Sequence, residues 1–582
     1  MTNASTGDEV FVTGSLPHHS SLITRYCFLL LLLLLGAGVR IHALGEAGRF
    51  HPDEALFSTF ARRAALNGDW LLRGSLDKPP LAIYANGLSM ALIAAREAGG
   101  VLNFDARTGE FAARLPGMFA SITLIAVVYA LAHRLYRDRV LAAWAALLTA
   151  FSPFAIAFSA TAFTDGLMLL FMALALLSAA RARWWSAGLW LGLAFATKQQ
   201  ALYYAPLVLA IGWAVDRLSL RRIAAVMLPV AASFALITGW DAARGQATSL
   251  WALADANNNP ARLIRANEVS PRLSIWFERG RFLIGSPTIL FVAAALLATG
   301  VRIVREPRRR STLVDVILLT YALAYLLTHW LIAFNTYDRY LLPLLPVMAI
   351  LGARGAIWLW RLIGRRLPPQ EMIVIAAAFA LVLALNGWNA SAGQVNVGGD
   401  GGNGARGVYE GIDALADFLN AQSPGAIIYD RWLGWQLGYY LGEWTDKRLV
   451  HYPTPEALAA GALAQHDPAP RYFPVPVDEP VAVWLDALRG SGFTVDQVYA
   501  TARFAVYRLV PPASALQHFL NNVQQVMGNV RLRQVAVSPL VQGDAYLIRV
   551  DDRRENEDRQ RVVGRVAAQL PQKVHSADFR HH

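Results

Sequence analysis

Apolar residues in this chain gather in long unbroken runs rather than in short alternations. The first covers 26–44, and 29–35 within it is almost pure leucine. Comparable runs follow near 112–133, 140–160, 163–181, 185–199, 201–216, 223–240, 282–301, 312–333, 340–360 and 371–388. A bilayer core takes roughly 20 helical residues to cross. The pattern therefore predicts an α-helical polytopic membrane protein with about eleven transmembrane helices, the first of them near 25–45. A secretory signal has an apolar core of only about 7–15 residues. The first run is longer and has many successors, so it is expected to stay as an uncleaved helix. Gly36, Gly192 and Pro206 inside the runs are tolerated because neighbouring helices re-satisfy freed backbone groups.

Polar stretches between the runs alternate in character. Every second loop is rich in arginine: Arg134, Arg137 and Arg139; Arg181 and Arg183; Arg217, Arg221 and Arg222; Arg302, Arg305 and Arg308 to Arg310; Arg361, Arg365 and Arg366. That side is expected to face the cytoplasm, together with a tail at 1–24. Trp184, Trp185, Trp240, Trp330 and Trp388 fall at predicted helix ends, as an interfacial belt requires. The opposite side receives loops at 46–111 and 241–281 and everything after the membrane module, 25–390. There the glycine-rich 391–404 reads as a linker. An amphipathic stretch at 409–419 and strand candidates at 426–429, 481–485 and 504–509 predict a small extracytoplasmic α/β domain over 405–510. The extension 511–582 offers a β-hairpin from 530–537 and 545–550 and a charged, disordered end.

Composition sharpens this picture in two respects. Charged residues are 16% of the chain against 55% hydrophobic, whereas ordinary soluble proteins carry about 25% charged residues. The net charge of +12 is spread over short loops, which argues for topology and against nucleic-acid binding. The only cysteine is Cys27, so the external domain has no intramolecular disulfide and must stand on packing.

Candidate chemistry collects on the outer side. His51-Pro52-Asp53-Glu54 opens a helical stretch whose Leu56, Phe57, Phe60, Ala61 and Ala64 form a stripe ended by Asn67-Gly68. Pro and acidic residues suit a first helical turn, so the pair has a plain capping role open to it. Other ionisable groups occur at similar depth: Asp77-Lys78 before Pro79-Pro80, Asp165 after Thr164, Lys198 after Thr197, and Asp338-Arg339 before Tyr340. Ionisable groups at membrane depth are costly and point to a functional cavity. Acids and bases converging there suit an anionic phosphate beside a polar substrate. The loop 241–281 adds Arg262, Arg265, Arg272, Arg279 and Arg281, any of which can contact phosphate or lipid headgroups. The glycines at 398–404 lack the Lys-Ser/Thr of a nucleotide-binding loop.

These motifs resemble those of the C-type membrane glycosyltransferases (the GT-C fold), in the glycosyltransferase family 39-like branch of aminoarabinose transferases and protein O-mannosyltransferases. The matching residues are Asp53-Glu54, Lys78-Pro79-Pro80-Leu81, Ala113-Arg114-Leu115-Pro116, Asp165, Thr197-Lys198 and Arg339-Tyr340-Leu341-Leu342-Pro343. The resemblance covers about residues 25–390. It implies transfer of a single sugar from a polyprenyl-phosphate donor to a glycan, lipid or protein acceptor outside the membrane. Asp53 would be the general base, with Glu54 beside it as an orienting neighbour. Lys78, Lys198, Tyr340, Arg339 and Arg272 would hold the donor phosphate, and Asp165 and Asp77 the sugar or acceptor. One base and no covalent sugar-enzyme implies inversion. Aminoarabinose transferases bind zinc through a Glu before the Lys-Pro-Pro lysine and a later loop His. Here Asp77 stands at the first position and 241–280 contains no histidine, so no metal or other cofactor is expected. The competing readings are a transporter or flippase of lipid-linked sugars and a glycan ligase or polymerase.

Overall fold

The computed structural model describes residues 18–286, 289–393, 407–465, 467–512, 539–542 and 545–548. The protein is mostly helical. Its first part runs α1 (His18–Gly45), α2 (Pro52–Asn67), α3 (Leu81–Ser89), a short hairpin of β1 (Arg96–Ala98) and β2 (Val101–Asn103), then α4 (Ala106–Tyr136), α5 (Arg139–Ala150), α6 (Pro153–Ser159), α7 (Asp165–Ala180) and α8 (Trp184–Thr197). A 3-10 turn, Gln199–Tyr204, leads into α9 (Ala205–Val215). There follow α10 (Leu220–Ala243), α11 (Leu250–Asn258), α12 (Val269–Ile284), α13 (Ile289–Arg305) and α14 (Arg310–Leu331). Another 3-10 turn, Asp338–Leu344, opens α15 (Leu345–Ile363), and α16 (Pro369–Ser391) ends the bundle.

Each predicted apolar run carries helix. Among the described residues six helices are long and apolar enough to span a membrane, or up to eight if each bent pair is one span. The bends lie at polar and proline breaks. Ser152-Pro153 divides 139–159 into α5 and α6 at 52°, and α12 meets α13 at 95°. Buried apolar side chains from nearly all these helices form one continuous core. Arg40 lies fully inside it. Its guanidinium donates to Ser121 Oγ at 2.8 Å, to the Gly36 and Ala150 carbonyls at 2.9 Å and to the Thr149 carbonyl at 3.3 Å, tying α1 and α4 to the α5–α6 break. Helices α4 and α7 approach closely because both present glycine: a Cβ on Gly166 would stand 3.3 Å from Gly117 Cα. That approach holds the start of α7, with Asp165, against α4.

The part after the bundle contains α17 (Ile412–Asn420), β3 (Ile427–Asp430), α18 (Gly434–Leu441), β4 (Arg448–His451), α19 (Pro455–Ala464), β5 (Arg471–Pro476), α20 (Ala482–Gly490), β6 (Thr494–Ala500) and β7 (Phe504–Val510). The strands form one mixed sheet in the order β4-β3-β5-β7-β6. The strand expected at 481–485 is instead the start of α20. Val481, Trp484, Leu485 and Leu488 recur at helical spacing, and the last three are buried. Strand β5 escaped notice because it contains Pro474 and Pro476, and proline demotes a strand. Its pairing with β3 lasts only through Arg471 and Tyr472, so both prolines lie past the point where their missing N–H would be needed. In the extension, β8 (Pro539–Gln542) pairs antiparallel with β9 (Ala545–Ile548). The expected first strand at 530–537 and the glycine-rich 398–404 lie outside the described residues.

Helix α18 docks this sheet domain on α2. Arg62 of α2 donates to the Tyr439 carbonyl, reaches Glu443 at 3.3 Å and lies over the Tyr439 ring at 5.0 Å. Just before α2, Phe50 N donates to Tyr440 Oη at 2.9 Å, and that hydroxyl donates to Glu110. Arg49 joins Glu110 at 3.3 Å and also pairs with Asp413 of α17. The helix that begins with the acidic pair is thus gripped from both the bundle and the sheet domain.

Candidate active site

His51 to Glu54 makes the N-terminus of α2 by local chemistry alone. Pro52 occupies the first turn, the His51 ring accepts from Asp53 N at 3.2 Å, and Glu54 reaches back to His51 N at 3.1 Å. Gly68 closes the helix at φ 70°, a left-handed cap that glycine adopts without a Cβ clash.

The two acids then part company. Glu54 is buried, and its carboxylate accepts from Arg114 Nε at 2.9 Å, Arg114 Nη2 at 3.3 Å and Ala162 N at 2.9 Å. With His51 N as a fourth donor its acceptor sites are filled. Glu54 thus bolts the start of α2 to α4 and to the chain entering α7. Breaking a buried pair costs about 3–5 kcal/mol. Glu54→Leu is expected to lower the melting temperature of the purified protein markedly, and an unchanged melt would remove this structural role.

Asp53 points elsewhere. Its side chain is 33% exposed and pairs with Arg339 from the 3-10 turn before α15. Burial alone pushes the Asp53 carboxyl up, but the Arg339 guanidinium, with His51 and Lys78 behind it, holds it well below the usual carboxylate range. Arg339 lies against Phe163 at 5.2 Å and Tyr337 at 4.8 Å, and its Nε is buried with no partner. A second ion pair stands beside the first. Lys198 Nζ donates to Asp165 Oδ1 at 2.7 Å, both buried, and lies 5.4 Å from the centre of the Tyr340 ring. Arg339 and Asp165 attract one another across the gap, while Lys198 feels the charges of Arg339 and Lys78. Asp165 also lines a small, mostly apolar pocket with Ser121, Ser159, Gly166 and Leu342. Asp53, Lys78, Asp165, Lys198, Arg339 and Tyr340 are thus neighbours.

Two other expected residues are placed differently. Arg272 Nη2 donates to the carbonyls of His329, Ile332 and Phe334 at 3.1, 3.3 and 2.6 Å. Through Nη2 it fastens α12 to the end of α14, while its Nε is buried without a partner. Asp77 pairs with Lys78, and the amides of Asn257 and Asn258 come to its Oδ2 at 3.4 and 3.5 Å. No group of three His, Cys, Asp or Glu able to hold a metal occurs among the described residues. Gln199, which donates to the Asp77 carbonyl at 2.7 Å, was missed by sequence reasoning. So was the role of Arg114, although an arginine inside the apolar start of α4 is the signal that marks buried ionisable groups.

The comparisons agree with this architecture. The family of dolichyl-phosphate-mannose-protein mannosyltransferases matches residues 77–240. No curated protein matches the chain. The crystal structure of ArnT from Cupriavidus metallidurans bound to undecaprenyl phosphate superposes with a TM-score of 0.56 at 15% identity, covering 84% of this chain and 98% of that one. The same protein in its apo state gives 0.56 at 15% identity, over 85% and 99% of the two chains. The Archaeoglobus fulgidus oligosaccharyltransferase in the apo form gives 0.48 at 13% identity, over 85% and 76%. The chain is an integral membrane protein with the GT-C fold, similar to ArnT along most of its length and to the protein mannosyltransferase family across residues 77–240.

Proposed function

We propose that this protein is an inverting glycosyltransferase that moves one sugar from a polyprenyl-phosphate donor to an acceptor hydroxyl on the extracytoplasmic side of the membrane. The observation that carries this reading is the pair of adjoining ion pairs, Asp53–Arg339 and Asp165–Lys198, with Lys78 beside them. The binding of undecaprenyl phosphate by the ArnT structure supports a lipid-linked donor here.

In this reading the donor phosphate enters among Lys78, Lys198 and Arg339, and Arg339 offers it the unpartnered Nε. Asp53 takes the proton of the acceptor hydroxyl, whose oxygen forms the new bond to the anomeric carbon. The bond from that carbon to the phosphate oxygen breaks, and polyprenyl phosphate leaves with the electron pair. The three cations stabilise the charge that grows on the phosphate. No covalent sugar-enzyme forms, so the anomeric centre inverts. Asp165, paired with Lys198, orients the sugar or acceptor in this reading. The residues around Asp77 do not call for a metal, and no step uses one. The sheet domain, held to α2 through α18, faces the same outer side and helps choose the acceptor.

The direct test incubates the purified protein in lipid with a panel of polyprenyl-phosphate sugars and follows free polyprenyl phosphate. Release from at least one donor, dependent on acceptor, is expected; no release from any overturns the reading. Lys198→Met is expected to lower kcat/KM about 10- to 100-fold, since a hydrogen bond to a charged group contributes about 1.5–3 kcal/mol. It also leaves Asp165 buried without its partner, so Asp165→Asn/Lys198→Met should recover the melting temperature but not the rate.

A further inference from the structure

At the opposite end of the bundle, where the arginine-rich loops lie, cations outnumber anions inside the fold. Asp315 of α14 is fully buried. It accepts from Tyr136 Oη at 2.7 Å, from Arg302 Nη1 at 2.6 Å and from Arg354 Nε and Nη2 at 2.9 and 2.7 Å. One carboxylate therefore answers two guanidiniums and a phenol, and nothing of it is left for a further cation. The nearest other acids are committed too: Asp138 faces Arg361 at 3.8 Å and Glu306 holds Arg309 at 2.6 Å.

Beside this cluster Arg310 opens α14 with Nε and Nη2 buried and unpartnered. Arg134 and Arg137, at the end of α4, are near enough to repel it. Two more polar atoms are dry and unpartnered here, Thr312 Oγ1 on α14 and His133 Nδ1 on α4. Tyr136 fastens the two helices together at Asp315. Arg137 caps the end of α4 in the left-handed conformation, at φ 55°, and Thr312 and Asp315, three apart on α14, share a helix face. Buried donors without acceptors are rare in native proteins, and a desolvated guanidinium beside like charges is costly. The arrangement lacks one component: an anion with several acceptor oxygens. Guanidinium forks match the geometry of phosphate.

We propose that the end of α4 and the start of α14 bind a phosphate group through Arg310 and Arg137. Its place at the first residue of an apolar span, Arg310–Leu331, sets it at headgroup depth. An anionic phospholipid or free phosphate supplies the same chemistry. The test uses full-length protein in nanodiscs of phosphatidylcholine, with or without phosphatidylglycerol, and in phosphatidylcholine discs with added inorganic phosphate. A bound anion that stabilises only the folded state raises the melting temperature, so a rise of several degrees is expected in one of the two supplemented arms. A rise with phosphatidylglycerol alone identifies a lipid headgroup; one with inorganic phosphate identifies the free ion.

Arg310→Gln and Arg137→Gln should each lose that rise while melting in neutral lipid no lower than wild type, because each removes an uncompensated charge. Arg305→Gln, an exposed arginine of the same loop, should keep it. No rise in wild type, a rise that survives Arg310→Gln and Arg137→Gln, or an equal loss with Arg305→Gln would each overturn the site.

Discussion

Asp53→Asn is expected to lower turnover of a polyprenyl-phosphate sugar by about 10²–10⁴-fold, the usual contribution of a general base, with little change in melting temperature. The substitution is nearly isosteric, and the start of α2 does not depend on the Asp53 side chain. Pro52, the His51 ring and Glu54 already define that helix end. Asp53 is one third exposed, so its ion pair contributes less to folding than the enclosed Glu54–Arg114 pair. What the amide cannot do is take a proton. It also releases Arg339 from its counter-ion, so binding of polyprenyl phosphate should be equal to wild type or tighter. Turnover and lipid binding thus move independently. Full turnover in Asp53→Asn would end the role of this carboxylate, whatever binding does.

The difference between two neighbouring carboxylates shows where sequence reasoning reaches its end. Local signals marked the start of α2, because proline, acids and a closing glycine act through the helix they sit on. Whether Asp53 or Glu54 meets substrate is decided by residues far along the chain. Arg114 claims Glu54 and Arg339 claims Asp53, and no periodicity in α2 tells them apart. The same holds for Arg40, which reads as an oddity in an apolar run until four acceptors from three segments gather round it. Hydrophobic runs placed the helices, but not the bends, since short breaks such as Ser152-Pro153 redirect a helix without changing its mean polarity. The motif residues Lys78, Asp165, Lys198 and Tyr340 were legible from their depth and side. Their pairing was not, because ion pairs form between loops whose meeting depends on the packing of every helix between them. Arg272 adds a contact no sequence pattern announces, its Nη2 held by carbonyls at the end of α14.

Arg339→Gln is the second change expected to have a large effect, about 10²–10³-fold in kcat/KM, the typical loss when one donor to developing charge is removed. It also reads the state of the base. Asp53 has its carboxyl depressed by Arg339, so it is ionised at every pH above that low value and loses its basicity only as pH falls through it. The kcat/KM profile reports the free enzyme, and in wild type it should stay flat through the ordinary carboxylate range. In Arg339→Gln the main depressing charge is gone and burial pushes the carboxyl up. An acid limb should then appear near or above pH about 4, the unperturbed carboxylate value. The kcat profile, which reports the donor-bound enzyme, carries the finer distinction. If the donor phosphate draws Arg339 from Asp53, the wild-type kcat limb should lie at higher pH than the kcat/KM limb, because binding the donor restores strength to the base. The donor phosphodiester does not titrate in this range, so it cannot imitate the shift. Coincident limbs in wild type would mean that Arg339 stays on Asp53 through the reaction. Unchanged limbs in Arg339→Gln would mean that Asp53 is not the group whose ionisation the rate follows.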